Sequence, residues 1–174
     1  MKKALFIVVL LTAWVGAQAQ VFVGGTVGID FNTVGSDGEG SVTTYTAQVA
    51  PEVGYRFNKT WTLGLQTVFG GVAVKGETIS QVVIAPYVRA TFARAGIVDF
   101  FGEASVGYGH QNYDGYDGVS GAVIALRPGM AINFSRRFAV IARTNLLQYE
   151  YWDGVYGVDF SINKGFSVGV QINF

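Results

Sequence analysis

Four charged side chains, Glu52, Glu103, Arg127 and Arg143, have the spacing to work as one group. Each falls on the polar side of an alternating stretch. Glu52 lies five residues before Phe57, Glu103 five after Val98, Arg143 five after Phe138 and Arg127 seven before Phe134. On antiparallel strands those offsets bring them to a similar depth. Glu52 and Glu103 have the residue type of a general acid and base pair, but acids among as many guanidiniums stay ionised and donate protons poorly. Two carboxylates against two arginines sum to zero, and a narrow interior favours such pairing because a lone buried charge is costly. A structural interior plug is therefore expected, with a gated polar conduit as the alternative. Arg56 and Arg89 are expected lower, near Asp99 or water.

His110, the single histidine, is the one candidate for hydrolytic chemistry, with Glu103, Ser105 or Ser120 as partners. A nucleophile, a base and an orienting acid must lie within hydrogen-bond reach. Glu103 is seven residues away, more than about 20 Å along a strand rising about 3.3 Å per residue. Ser105 faces the opposite way, which leaves only Ser120, so no catalytic residue is expected. Cysteine is absent, and paired histidines and an HExxH motif are lacking, so neither a metal nor a cofactor is expected. Asp37, Glu39, Asp114, Asp117, Asp153 and Asp159 lack calcium-loop spacing and form a solvated acidic rim. Tyr113, Asp114, Tyr116, Asp117, Tyr151, Trp152 and Asp153 combine rings and carboxylates beside glycine, a candidate loop-binding set for an external ligand that composition cannot name.

The elements that must position these groups are strands. Residues 166–174 read F-S-V-G-V-Q-I-N-F, apolar at every second position. The same period recurs over 21–32, 43–57, 61–72, 79–92, 98–110, 119–134 and 138–149. Leu63, Val88, Val106 and Val170 fall on the apolar face. Links at 58–60, 93–97 and 135–137 are short, whereas 34–42, 72–78, 111–118 and 150–163 tend to be longer, the asymmetry of periplasmic turns and extracellular loops. Residues 155–162 also alternate, which taken literally makes nine strands. A closed single-chain barrel has an even number, so 150–163 is assigned to the last outer connection, either the upper part of a bulged eighth strand or a small separate hairpin. Pro51, Pro86 and Pro128 have no N–H to give, and each predicts a bulge or a missing ladder bond. Tyr55, Phe57, Trp61, Phe92, Phe134, Phe138 and Phe174 gather at one rim and Tyr108, Tyr149 and Trp152 at the other, as interfacial rings do.

The expected fold is all-β, an eight-stranded antiparallel transmembrane β-barrel with up-and-down topology over residues 20–174. Met1-Lys2-Lys3, the apolar stretch 4–15 and Ala17-Gln18-Ala19 make residues 1–19 a signal peptide. Its dozen apolar residues fall short of the roughly 20 that a spanning helix needs, and no later stretch reaches that length without charge. Without Lys2 and Lys3, ten basic residues face twelve acidic ones and no basic stripe is present, so nucleic acid is not an expected partner. A water-soluble barrel would need the reverse polarity, polar outside and apolar within. The tandem glycines 24–25 and 70–71 lack the lysine and helix of a phosphate loop and read as wall glycines.

With Ala17-Gln18-Ala19 followed by Gln20, an alternating body rich in glycine and aromatics, and a last strand ending in Phe174, the chain resembles small outer-membrane β-barrel proteins of the OmpA/OmpX-like type, especially those of Bacteroidetes. The resemblance covers nearly all of residues 20–174. It implies a monomer in the cell outer membrane, with outer-membrane lipids and the barrel assembly machinery as partners. It also implies that Phe166, Val168, Val170, Ile172 and Phe174 carry the assembly signal. Structural support, adhesion, host-factor binding and a narrow pore are the activities it brings. No cell-wall-binding domain is expected after Phe174. Lipid A deacylase barrels are enzymatic relatives, but their histidine and serine two residues apart have no match here, since Gln111 and Asn112 follow His110. The expectation is a non-enzymatic barrel with a structural or surface-binding role through its outer loops. A narrow small-solute or ion channel is the alternative, and a lipid-modifying hydrolase comes third.

Overall fold

The computed structural model describes residues 20–36, 39–74, 77–113, 116–160 and 165–174, without the side chains of 30–45, 72–78, 113–117, 155, 159 and 160. The expected signal peptide, Asp37 and Asp114 lie outside the described residues. Ten strand segments follow in order: β1 (Gln20–Ser36), β2 (Glu39–Arg56), β3 (Trp61–Val74), β4 (Glu77–Ala95), β5 (Val98–Tyr113), β6 (Tyr116–Asn133), β7 (Phe138–Arg143), β8 (Leu147–Trp152), β9 (Val155–Phe160) and β10 (Ser167–Asn173). Neighbours from β1 to β6 pair antiparallel, β6 pairs with both β7 and β8, and β10 pairs with β7 and β1 to close the ring. β7 with β8 and β9 with β10 are each one wall strand in two pieces, so the fold is a closed eight-stranded antiparallel barrel.

Its polarity is inverted relative to a soluble protein. Leu63, Val88, Val106 and Val170 point outward and are exposed, whereas Gln66 is 1% exposed, Glu103 2% and Arg143 3%. Strands present this pattern when hydrocarbon surrounds the wall and the enclosed centre is polar. Phe57, Trp61, Phe92, Phe134, Phe138 and Phe174 form an exposed ring of aromatics at the short-turn end, where Tyr55 and Phe57 meet edge to face at 4.9 Å. The turns there are tied by side chains. Asn58 Oδ1 accepts from the Thr60 and Trp61 N–H groups, and Ser135 Oγ from those of Arg137 and Phe138.

All three prolines interrupt pairing. The β2–β3 ladder skips from Val49↔Phe69 to Glu52↔Gln66 beside Pro51, and the β4–β5 ladder from Ile84↔Tyr108 to Tyr87↔Ser105 beside Pro86. Opposite Pro128 the change is larger. Gly129 faces Arg143 while Leu126 faces Leu147, so two residues of β6 oppose three, 144–146. This bulge shifts the alternation by one residue: Ala139, Ile141 and Arg143 point inward before it, Trp152 after it. Trp152, expected at the outer rim and in the loop-binding set, is instead a buried lumen residue packed with Val68, Val83 and Ala85.

The outer connections are shorter than expected because the strands run on. β1 and β2 pair up to Ser36↔Glu39, and β5 and β6 up to Tyr113↔Tyr116. β8 and β9 form a hairpin through Asp153 and Gly154, with φ of 41° and 86°, the two positive values that a tight two-residue turn requires. Residues 155–160 are thus the upper part of the eighth wall strand. At about 3.3 Å per residue and a tilt near 40°, residues 20–28 rise a little over 20 Å, close to the roughly 25 Å apolar band of such barrels. The hairpin ends project beyond it. Among the described residues, the stretch of β1 above Gly28 pairs only with β2, and β9 only with β8.

Four large aromatics fill the lumen, and each faces a glycine across its ladder: Phe22↔Gly54, Tyr87↔Gly64, Phe101↔Gly129 and Trp152↔Gly121. A Cβ on Gly64 would lie 2.3 Å from the Tyr87 ring, and one on Gly54 2.3 Å from that of Phe22. The ring occupies the space that the opposite residue leaves empty.

Candidate functional site

The mid-lumen is spanned by a polar network to which every wall strand contributes one side chain: Thr26, Glu52, Gln66, Arg89, Glu103, Arg127, Arg143 and, from β10, Gln171. Glu103 is its hub, because Arg89 and Arg127 are its direct partners on the two neighbouring strands. Arg89 Nη2 lies 2.9 Å from Glu103 Oε2, and Arg127 Nη1 3.6 Å from Oε1. Arg143 crosses the lumen. Its Nη1 is 3.1 Å from both Glu103 Oε1 and Glu52 Oε2, while its Nη2 donates to Gln66 at 2.9 Å and Thr26 at 3.0 Å. Glu52, Glu103, Arg127 and Arg143 thus lie in one connected group.

Arg89 was expected lower and is corrected to a full member of this group. β4 runs to Ala95 rather than ending at Phe92, with a bulge between Thr91 and Ala93, so Arg89 sits higher above the strand end than the sequence count places it. Its guanidinium stacks over Phe101 at 4.4 Å and Tyr87 at 5.2 Å and donates to Gln171 at 3.3 Å. Three guanidiniums now face two carboxylates, one positive charge beyond the expected balance. Arg56, half-buried at the end of β2, lines the opening at the short-turn end.

A residue not anticipated from the sequence, Glu150, restores the balance from above. Arg127 Nε donates to Asn145 Oδ1 at 2.9 Å, Asn145 Nδ2 to Gln148 Oε1 at 2.7 Å, and Gln148 Nε2 to Glu150 Oε1. Trp152 Nε1 donates to the other Glu150 oxygen at 3.1 Å. All donors on this chain point from the cation to the anion, an arrangement in which successive hydrogen bonds polarise one another. Glu150 reaches the lumen only because of the bulge at 144–146. The signal available in the sequence was Pro128 opposite it.

The network divides the interior. Above it lies a cavity of about 290 Å³ lined by Gln48, Gln81, Gln111, Arg127, Gln148 and Glu150 among others. Below it a vestibule of about 560 Å³ opens at the short-turn end, and the two share no lining residue. Three buried polar atoms in the network region, Glu52 Oε1, Gln66 Nε2 and Tyr87 Oη, lack a hydrogen-bond partner, although Glu52 Oε1 lies 3.6 Å from Arg89 Nη2.

His110 Nδ1 is 3.1 Å from Ser120 Oγ, its direct partner across the β5–β6 ladder, and both are exposed on the outer face. Ser105 and Glu103 point into the lumen, so neither joins the pair. Of the loop-binding set, Tyr151 and Asp153 are exposed at the β8–β9 hairpin. Tyr113, Tyr116 and Asp117 lie at the end of the β5–β6 hairpin. Phe166, Val168, Val170, Ile172 and Phe174 form one exposed row at and around β10.

No protein-family model matches the chain, and no curated protein matches it. Among solved structures, Neisserial surface protein A aligns with a TM-score of 0.58 at 13% identity, covering 91% of this chain and 100% of that one. The attachment invasion locus protein Ail of Yersinia pestis, in complex with the heparin analogue sucrose octasulfate, aligns with a TM-score of 0.56 at 14% identity over 91% and 100%. The outer membrane protein OprG from Pseudomonas aeruginosa gives 0.50 at 14% identity over 91% and 96%. These similarities and the apolar outer band agree on the fold of a small outer-membrane β-barrel, and the outer membrane is its location.

Proposed function

We propose that this barrel is a non-enzymatic surface protein whose working parts are its outer hairpins, with the lumen as a sealed support. The observation that carries the reading is the eight-strand network, which ties the wall to itself and separates the two cavities. A barrel of this strand number holds little more than its own side chains. The hairpins projecting beyond the apolar band carry Glu39, Glu77, Asp117, Asp153 and Asp159 against few cations. That charge favours a basic partner surface over a sulfated saccharide such as the one bound by Ail. The test is adhesion of cells displaying the protein to surfaces coated with polylysine, with heparin and with neutral dextran. Binding to the first alone, lost when Asp117 and Asp153 are changed to asparagine, is expected. Equal binding to all three would overturn it.

A narrow channel is the second reading, favoured by the aligned cavities above and below the network. Planar bilayers decide between the two: closed wild-type protein supports the sealed support, whereas unitary conductance from folded wild type supports the channel.

A further inference from the structure

The vestibule below the network has a charge distribution that neither the seal nor the outer hairpins use. Four cationic side chains line it, Arg56, Lys59, Arg94 and Arg136, against one carboxylate, Asp99. Arg94 is spoken for, with its Nε 3.3 Å from Asp99. Among the described residues, Arg56, Lys59 and Arg136 have no ion pair, and the Arg56 guanidinium, at the half-buried end of β2, has no hydrogen bond either. A partly desolvated guanidinium is costly, and Arg56 and Arg94 share one nearby carboxylate, Asp99.

The turns that bear two of these cations have tied backbones. The turn bearing Lys59 is closed by Asn58 and anchored by Arg94 Nη2, which donates to the Lys59 carbonyl. The turn bearing Arg136 is closed by Ser135, and the Asn173 N–H donates to the Arg137 carbonyl at 2.8 Å. Two turns and the end of β2 thus bring three cations to one opening whose lining holds a single carboxylate. A guanidinium presents paired donors that match the oxygens of a carboxylate or phosphate, and an ammonium adds a point charge.

We propose that this vestibule binds a multivalent oxyanion, a group bearing several phosphate or carboxylate oxygens, entering from the periplasm. Arg56 grips it from the floor and Lys59 and Arg136 from the rim. The floor residues Arg56 and Asp99 and the wall residue Asn173 all face the lumen, so the occupant is a soluble or protein-borne oxyanion rather than a headgroup of the surrounding bilayer. The acidic outer hairpins leave the periplasmic mouth as the end of the barrel that attracts anions.

The test uses the protein folded into phosphatidylcholine nanodiscs and titrated calorimetrically with pyrophosphate and with citrate at low ionic strength. Saturable one-site binding of at least one of them is expected, weakening as salt rises. Arg56→Gln and Arg136→Gln should each weaken it about tenfold, the scale of a charge-assisted contact, while Arg137→Gln, outside the vestibule, should leave it unchanged. Heat-dependent gel mobility confirms that each variant is folded. Absence of saturable binding by either anion, or equal affinity in Arg56→Gln and wild type, overturns the proposal. Loss of pyrophosphate binding when the discs contain phosphatidylglycerol would place a lipid headgroup in the site and overturn the soluble source.

Discussion

Arg143 and Glu52 are 91 residues apart in sequence and belong to strands that do not pair, yet Nη1 and Oε2 meet at 3.1 Å across the barrel. This contact joins opposite walls where backbone hydrogen bonds join only neighbours. Removal of the guanidinium leaves Glu52 and Glu103 with less compensation in a buried setting. Arg143→Ala is expected to destabilise the folded barrel by about 3–5 kcal/mol, measured by urea unfolding in lipid vesicles, with Arg143→Lys intermediate. Equal stability of Arg143→Ala and wild type would show that the network does not brace the wall.

The glycine and aromatic pairs predict a contrast between two glycines of similar strand position. Gly64→Ala drives a methyl into the Tyr87 ring, whereas a Cβ at Gly102 meets nothing within 4 Å. Gly64→Ala should cost about 1–3 kcal/mol and Gly102→Ala should be close to neutral by the same unfolding assay. A reversed order would contradict the packing.

Trp61 and Trp152 report opposite sides of the wall, Trp61 being 50% exposed on the lipid side and Trp152 8% exposed within. Brominated phospholipids should quench the fluorescence of a Trp152→Phe variant strongly and that of a Trp61→Phe variant weakly. Similar quenching of both would remove Trp152 from the lumen.

Val106 lies mid-wall on β5 and is 55% exposed on the outward face. Val106→Arg places a cation in hydrocarbon and should cost about 2–4 kcal/mol of folding stability in vesicles. A neutral outcome in lipid would contradict the assignment of that face to the membrane.

The legible part of this chain was its period of two. Alternation is a local property, so by itself it sorts Glu52 from Val53 and Glu103 from Ala104, and even strand number closes the ring. Depth was harder. The depth of Arg89 depends on where β4 stops and on the bulge after Thr91, both set by pairing with β5 rather than by β4 itself. The bulge at 144–146 reversed the facing of Glu150 and Trp152 for the same reason, since one extra residue exchanges the two faces of everything beyond it. Pro128 marked the site, but its effect appeared on the neighbouring strand.

The pairing of each interior ring with a missing side chain opposite means that the space in front of each of these four glycines is already filled. A larger residue at position 54, 64, 121 or 129 is tolerable only when the ring facing it shrinks. Homologues that drift at these sites should therefore exchange bulk between the two members, so that positions 22 and 54, or 64 and 87, are inherited as coupled units rather than as independent letters.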